Sequence, residues 1–190
     1  MGLLAIAETA GLRRHGDNAR LLLMRVLGID CGTEYTGYGV VELADGGQLC
    51  CLRCGAIKLS PREPMARRLC AIFDQLAAVI AEHRPELMAI EDVFYAVNVK
   101  SALKLGQVRG VAMLAASSAG LPVAEYAPLS IKSAVVGYGR AEKAQVQFMV
   151  ARLLNLPEVP QPPDAADALA IAICHLHTAH TLQRQAVAAR

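Results

Sequence analysis

The sequence predicts an α/β fold: a mixed five-stranded sheet flanked by helices. From Met24 onward, three short apolar segments follow one another across glycine-rich turns. Beyond them, two further apolar segments each follow a long helical repeat, and the chain closes on helices. Strands joined by tight turns pair antiparallel, whereas strands separated by a helix need a crossover, so this order implies a sheet of both kinds.

Arg25 to Asp30 reads as a buried strand, after which Gly32, Gly37 and Gly39 punctuate a tight return into Tyr38 to Leu43. Ala44-Asp45-Gly46-Gly47 is a hairpin turn into a third strand near Leu49 to Leu59. Pro64 opens a helix toward His83, with Leu69, Ile72, Phe73, Leu76, Val79 and Ile80 at helical spacing. Pro85 stops it, and a short apolar strand runs to Glu91. Asn98 or Ser101 caps the next helix, which carries Leu103, Leu105, Val108, Val111, Met113 and Leu114 and ends at Gly120-Leu-Pro122. Val123 to Ala127 is the last strand. Ser130 caps a short helix, Gly137-Tyr-Gly139 is a loop, Ala141 to Leu154 is helical, and a proline-rich connector delivers the final helix from Asp164.

A chain of 190 residues, 54% of them hydrophobic, is one domain with an ample core. Residues 1–23 show no periodic apolar pattern and no signal-peptide order, and read as a disordered extension or a start-codon artefact. The domain proper is expected over 24–178, with a tail at 179–190. The formal charge of +2 permits a polyanionic partner without requiring one. Six cysteines without a secretory signal read as reduced thiols of a cytoplasmic protein. Cys51-Leu-Arg-Cys54 is half a zinc knuckle without its second half, and strand alternation sends the two thiols to opposite faces, which argues against zinc. No run is apolar for the ~18 residues a membrane span needs, so no membrane association is expected.

The chemistry lies in four acids that each sit where an apolar segment ends or begins: Asp30, Glu91, Asp164 and Asp167. Singly, each has a structural explanation as a turn or helix-cap residue. Together they are harder to place. Asp164 and Asp167 share a helical face, and Asp30 and Glu91 project from strand ends, so four like charges would be partly buried in one place, an arrangement tolerable mainly with bound cations. An all-oxygen donor set suits Mg²⁺, with Mn²⁺ as a substitute, and two such ions ~4 Å apart can activate a water and stabilise the leaving oxygen of a phosphodiester. Asp92 faces away from Glu91 on a strand and reads as a supporting group. His175 and His177 lie too far along the last helix to join the acids and read as surface or packing residues.

Five ordered motifs then resemble the RuvC family of bacterial Holliday junction resolvases over nearly everything from Met24 to His177. They are Ile29-Asp30-Cys-Gly32-Thr-Glu-Tyr-Thr36-Gly37-Tyr-Gly39, Ile90-Glu91-Asp-Val-Phe94, Asn98-Val-Lys-Ser101-Ala-Leu-Lys104-Leu-Gly106-Gln107-Val-Arg109-Gly110, Val135-Val-Gly137-Tyr-Gly139-Arg-Ala-Glu-Lys143 and Asp164-Ala-Ala-Asp167-Ala-Leu-Ala. The resemblance implies a ribonuclease H-like fold, a homodimer, and Mg²⁺-dependent nicking of two opposed strands at a four-way DNA junction during recombination and repair. It implies that the four acids hold the metal, that Phe94 stacks on an unpaired base, that Lys132 and Lys143 stand near the scissile phosphate, and that the branch-migration proteins RuvA and RuvB are partners.

The basic residues Lys104 and Arg109, with Lys100, Arg67, Arg68, Lys132, Arg140 and Lys143, are expected along a DNA path. The helix from Asn98 to Ala119 is the expected dimer interface, through Leu103, Val108, Val111, Met113 and Leu114 with the small Gly106, Gly110 and Ala115. Two other readings compete. Gly28-Ile-Asp30-Cys-Gly32-Thr33-Glu-Tyr-Thr36-Gly37 is also similar to the first phosphate loop of the actin and sugar-kinase ATPases, although one lobe and one loop fall short of such an enzyme. A non-catalytic junction-binding scaffold is the other, disfavoured because a binding module gains nothing from four repelling acids.

Overall fold

Strand β1 (Met24–Asp30) sets the layering, because its side chains alternate between two cores. The computed structural model describes residues 24–44, 46–92 and 98–188. On one face of the sheet Leu27 and Ile29 pack with α1 (Met65–His83) and α2 (Val99–Ser118). On the other, Val26 packs with α3 (Pro128–Val136), α4 (Lys143–Leu153) and α5 (Pro163–Ala188). Strand β4 (Leu87–Glu91) repeats the pattern, with Met88 and Ile90 on the α1/α2 side and Leu87 and Ala89 on the α5 side.

The strands lie in the order β3-β2-β1-β4-β5, with β2 at Tyr35–Leu43, β3 at Leu49–Lys58 and β5 at Val123–Tyr126. The pairs β1/β2 and β2/β3 are antiparallel, and β1/β4 and β4/β5 are parallel, which is the mixed sheet the element order implies.

Helix α5 runs across β1 and β2 at very close range, and glycine makes this possible. A Cβ on Gly28 would fall 2.0 Å from the Ala168 carbonyl oxygen, and one on Gly37 would fall 2.0 Å from that of Asp164. The facing side of the helix answers with small residues, Ala165, Ala168 and Ala172, all fully buried. Glycines 37 and 39 therefore belong to β2, which starts at Tyr35 rather than Tyr38; they are there for the helix, not for a turn. The turn is confined to residues 31–34, where the buried Thr36 hydroxyl donates to the Gly32 carbonyl at 3.1 Å.

Other boundaries also shift. Pro128 occupies the first turn of α3, so Ala127 rather than Ser130 precedes that helix. Helix α4 starts at Lys143, not Ala141, because Glu142 and Gln145 form a reciprocal capping box. Asn98 is the N-cap of α2, its side chain accepting from the amides of Lys100 and Ser101. Residues 179–188, expected as a tail, continue α5, since no glycine or proline interrupts them.

A bulge overturns the opposite-face expectation for the cysteines. Val40 pairs with Arg53 but Val41 with Cys51, so Leu52 is the extra residue that shifts the alternation by one. Cys51 and Cys54 thus point to the same core. Among the described residues no helix is long and apolar enough to cross a membrane.

Candidate active site

Alternation carries both strand acids to the α5 face: Asp30 follows Val26 and Gly28, and Glu91 follows Leu87 and Ala89. The parallel register pairs Ile29 with Ile90, so the acids stand side by side at the C-terminal ends of adjacent strands. On the other side of Asp30 the antiparallel partner is Gly37, and over Gly37 lies the backbone of Asp164. The start of α5 at Pro163 then sets Asp164 in the first helical turn and Asp167 one turn on. Three distant segments thereby deliver four carboxylates to one place.

The electrostatics report their proximity. Asp30 is pushed from its ordinary value of 3.8 up to about 7, first by burial and then by the charges of Asp167, Glu91 and Asp164, against a smaller opposing pull from Lys143. Glu91 is also raised, by burial and by Asp167, while Lys132 and Lys143 lower it. Among the described residues no three acid, histidine or cysteine side chains have closed on a single point at ion-coordinating distance. Lys143 pairs with one of the four acids: its Nζ lies 2.5 Å from Asp167 Oδ2. That contact is the main reason the lysine's own pKa is raised. The all-oxygen set and the cost of keeping Asp30 charged both fit a hard divalent cation, whose field would reverse each of the repulsive contributions.

Gln147 is a site residue that the sequence reading missed. It lies one turn beyond Lys143 on α4 and donates from Nε2 to Asp167 Oδ1 at 3.3 Å, so α4 holds both oxygens of that carboxylate. The i, i+4 spacing from Lys143 is the available signal. The charge of Lys132 on α3 favours the ionised form of Glu91. Lys104 is exposed on α2.

Arg109 does not fit the expected DNA path. Its side chain is only 17% exposed, and it is engaged inside the protein by Glu125, by Asp92 at 3.9 Å and by the Glu91 carbonyl at 3.3 Å. Arg68 is likewise buried in α1. Asp92 has the supporting position expected of it. His175 is a packing residue whose Nδ1 lies 2.8 Å from the Tyr126 hydroxyl, and burial lowers its pKa to about 4. Phe94 lies outside the described residues.

Comparison with known proteins gives the chain its relatives. Residues 26–175 match the family described as crossover junction endodeoxyribonuclease RuvC. The protein of that name from Koribacter versatilis is 68% identical over 161 residues, covering 85% of this chain and 97% of the relative. The solved structure of Thermus thermophilus RuvC matches with a TM-score of 0.77 at 38% identity, over 83% of this chain and 96% of that one. The structure of T. thermophilus RuvC in complex with Holliday junction substrate also matches at 0.77, with 35% identity and the same coverage. The architecture is thus the ribonuclease H-like one, and the ATPase and scaffold readings fall away. The chain belongs to the RuvC family of crossover junction endodeoxyribonucleases, enzymes that cut DNA where duplexes cross over.

Proposed function

We propose that the protein resolves four-way DNA junctions by paired nicks in opposed strands, using two Mg²⁺ ions per site held by Asp30, Glu91, Asp164 and Asp167, with Mn²⁺ able to substitute. The observation that carries this reading is the convergence of Asp30, Glu91, Asp164 and Asp167 from three distant segments, with Asp30 raised by burial and by its neighbours' charges, because a protein gains nothing from that repulsion unless a cation offsets it. When bound, such ions supply a nucleophilic water at neutral pH and stabilise the departing oxygen.

The chain's own residues do the rest. Gln147 and Lys143 orient Asp167 from its two oxygens. Lys143, on a side chain 65% exposed, and Lys132 place positive charge at the rim of the acidic cluster, where a phosphodiester must come close to like-charged carboxylates. Lys104 extends that charge along α2, and Phe94 stacks on a base displaced at the junction centre.

One acidic cluster makes one nick, and two-fold symmetry in the protein matches two-fold symmetry in the junction. We assign the dimer contact to a stripe of α2 formed by Val99, Leu103, Gly106, Gly110 and Leu114. Its three large members are 56–76% exposed, and a Cβ on either glycine would meet nothing within 4 Å. Val108 and Val111 do not belong to this stripe, because they face the protein's own α1/α2 core. RuvA and RuvB are the proposed branch-migration partners and the cytoplasm the proposed compartment. The test is incubation of the purified protein with an end-labelled synthetic four-way junction, with Mg²⁺ and with chelator. Symmetric cuts in opposed strands only when Mg²⁺ is present are expected; metal-independent cutting or no cutting defeats the proposal.

A further inference from the structure

Beyond the acids themselves, we infer that Arg109 is a positioning residue for Glu91, acting on its backbone rather than on DNA or on its carboxylate. The inference rests on the nuclease reading above and concerns how one of its ligands is held.

The guanidinium sits where three elements meet. It is carried by α2, its Nε donates to the Glu91 carbonyl at the end of β4, and its Nη2 pairs with Glu125 of β5 and lies 3.9 Å from Asp92 Oδ1. Its Nη1 is engaged as well, by Met113 Sδ at 3.3 Å. Glu125 is the register partner of Ile90, so its carboxylate is fixed by the same ladder that fixes Glu91.

Glu91 is the last residue of β4. Just beyond it the Asp92 amide donates to the Tyr126 carbonyl at 2.8 Å, and the next described residue is Asn98, the N-cap of α2. Arg109 ties α2 to the strand end. The contact Arg109 makes with Glu91 is to its main chain, at the carbonyl oxygen. A planar fork can serve a carbonyl, a carboxylate and a thioether at once, and a lysine ammonium cannot.

This separates Arg109→Lys from the usual conservative change. Arg109→Lys, Arg109→Gln and Glu125→Gln would be compared with wild type in three measurements: Mn²⁺ affinity of the DNA-free protein by electron paramagnetic resonance, single-turnover cutting of a four-way junction in Mg²⁺, and junction binding in chelator across a salt series. Both Arg109 variants are expected to weaken Mn²⁺ binding about 10-fold and to slow cutting 10- to 100-fold, as loss of a group behind a metal ligand does. Junction affinity should stay within about twofold with an unchanged salt slope. Glu125→Gln should move the same way, more weakly.

The idea is overturned if Arg109→Lys matches wild type while Arg109→Gln loses junction affinity and about one unit of salt slope, the signature of a phosphate contact. It is equally overturned if Mn²⁺ affinity does not move. Should the Arg109 variants fail to fold, Glu125→Gln decides, because Glu125 is 45% exposed and its amide is tolerable there. A wild-type protein that never cuts the junction would defeat the nuclease reading, whereas normal cutting and normal Mn²⁺ affinity in the variants defeat only the positioning role.

Discussion

Replacing Asp30 with Asn should stabilise the metal-free protein, and the gain should depend on pH in a defined way. In the folded chain Asp30 titrates at about 7, against 3.8 for an unburied aspartate. Below pH 3.8 the carboxyl is neutral in both states and contributes no penalty. Between 3.8 and 7 the unfolded chain gives up its proton while the folded chain keeps it, so wild-type stability falls as pH rises; above 7 the loss is complete. Each pH unit is worth about 1.4 kcal/mol, so the full window of roughly three units gives an upper bound of about 4 kcal/mol. The four acids titrate as a coupled set, and neighbouring carboxylates can take up part of the proton uptake, so about 2 kcal/mol is a realistic lower figure.

Urea unfolding of wild type and Asp30→Asn in chelator, from pH 4 to 8, is the assay. The difference between the two should grow with pH through the window and be flat beyond it. Mg²⁺ should then offset most of the loss, because an ion at 100 times its Kd stabilises the protein that binds it by about 2.7 kcal/mol and leaves the variant nearly unchanged. Parallel pH curves in chelator, or equal stabilisation of both proteins by Mg²⁺, would refute the argument that these carboxylates form one site.

Other expectations follow from the same geometry. Glu91→Gln, Asp164→Asn and Asp167→Asn should each reduce junction cutting by at least about 100-fold while gel-shift affinity in chelator is kept or improved, since each removes a charge that repels phosphate; a variant with wild-type turnover does not contribute a ligand. Leu103→Glu should give monomers by sedimentation and isolated nicks in place of paired cuts, whereas Val111→Glu, packed against the α1/α2 core, should instead lower thermal stability by several kcal/mol. Dimers of Leu103→Glu that still make paired cuts would move the interface elsewhere. Phe94→Ala should weaken junction processing by about 1–3 kcal/mol with Phe94→Tyr nearly silent, and equal losses of melting temperature in both would show a core residue instead.

Much of the site was legible because the acids obey the strand period. Asp30 and Glu91 end apolar runs whose alternate members face one helix, and Asp164 and Asp167 open that helix. What stayed hidden was tertiary in origin. Gly37 and Gly39 read as turn residues, because a glycine placed for an approaching helix and one placed for a bend look alike along the chain. Leu52 carries no local sign that β3 bulges there, so the shared face of Cys51 and Cys54 could not be seen. Arg109 looks like any helical cation until Glu125 and the end of β4 are brought beside it. The start of α4 was readable and was missed: Glu142 and Gln145 have capping-box spacing.

Because glycine backbone and alanine side chains, rather than bulkier groups, separate α5 from β1 and β2, the distance between the strand acids and the helix acids has almost no slack. Insertions and deletions should therefore be sharply unequal in effect along this chain. A residue added to the proline-rich connector before Pro163 lengthens a loop and leaves helix and sheet to dock as before. A residue deleted within Leu87–Glu91 turns every later side chain of that strand over, carrying the Glu91 carboxylate to the α1/α2 core and Ile90 into the acidic cluster. The same small edit is nearly silent in one place and takes a carboxylate out of the acidic cluster in the other, so natural length variation in this family should collect in the connector and avoid the five residues of β4.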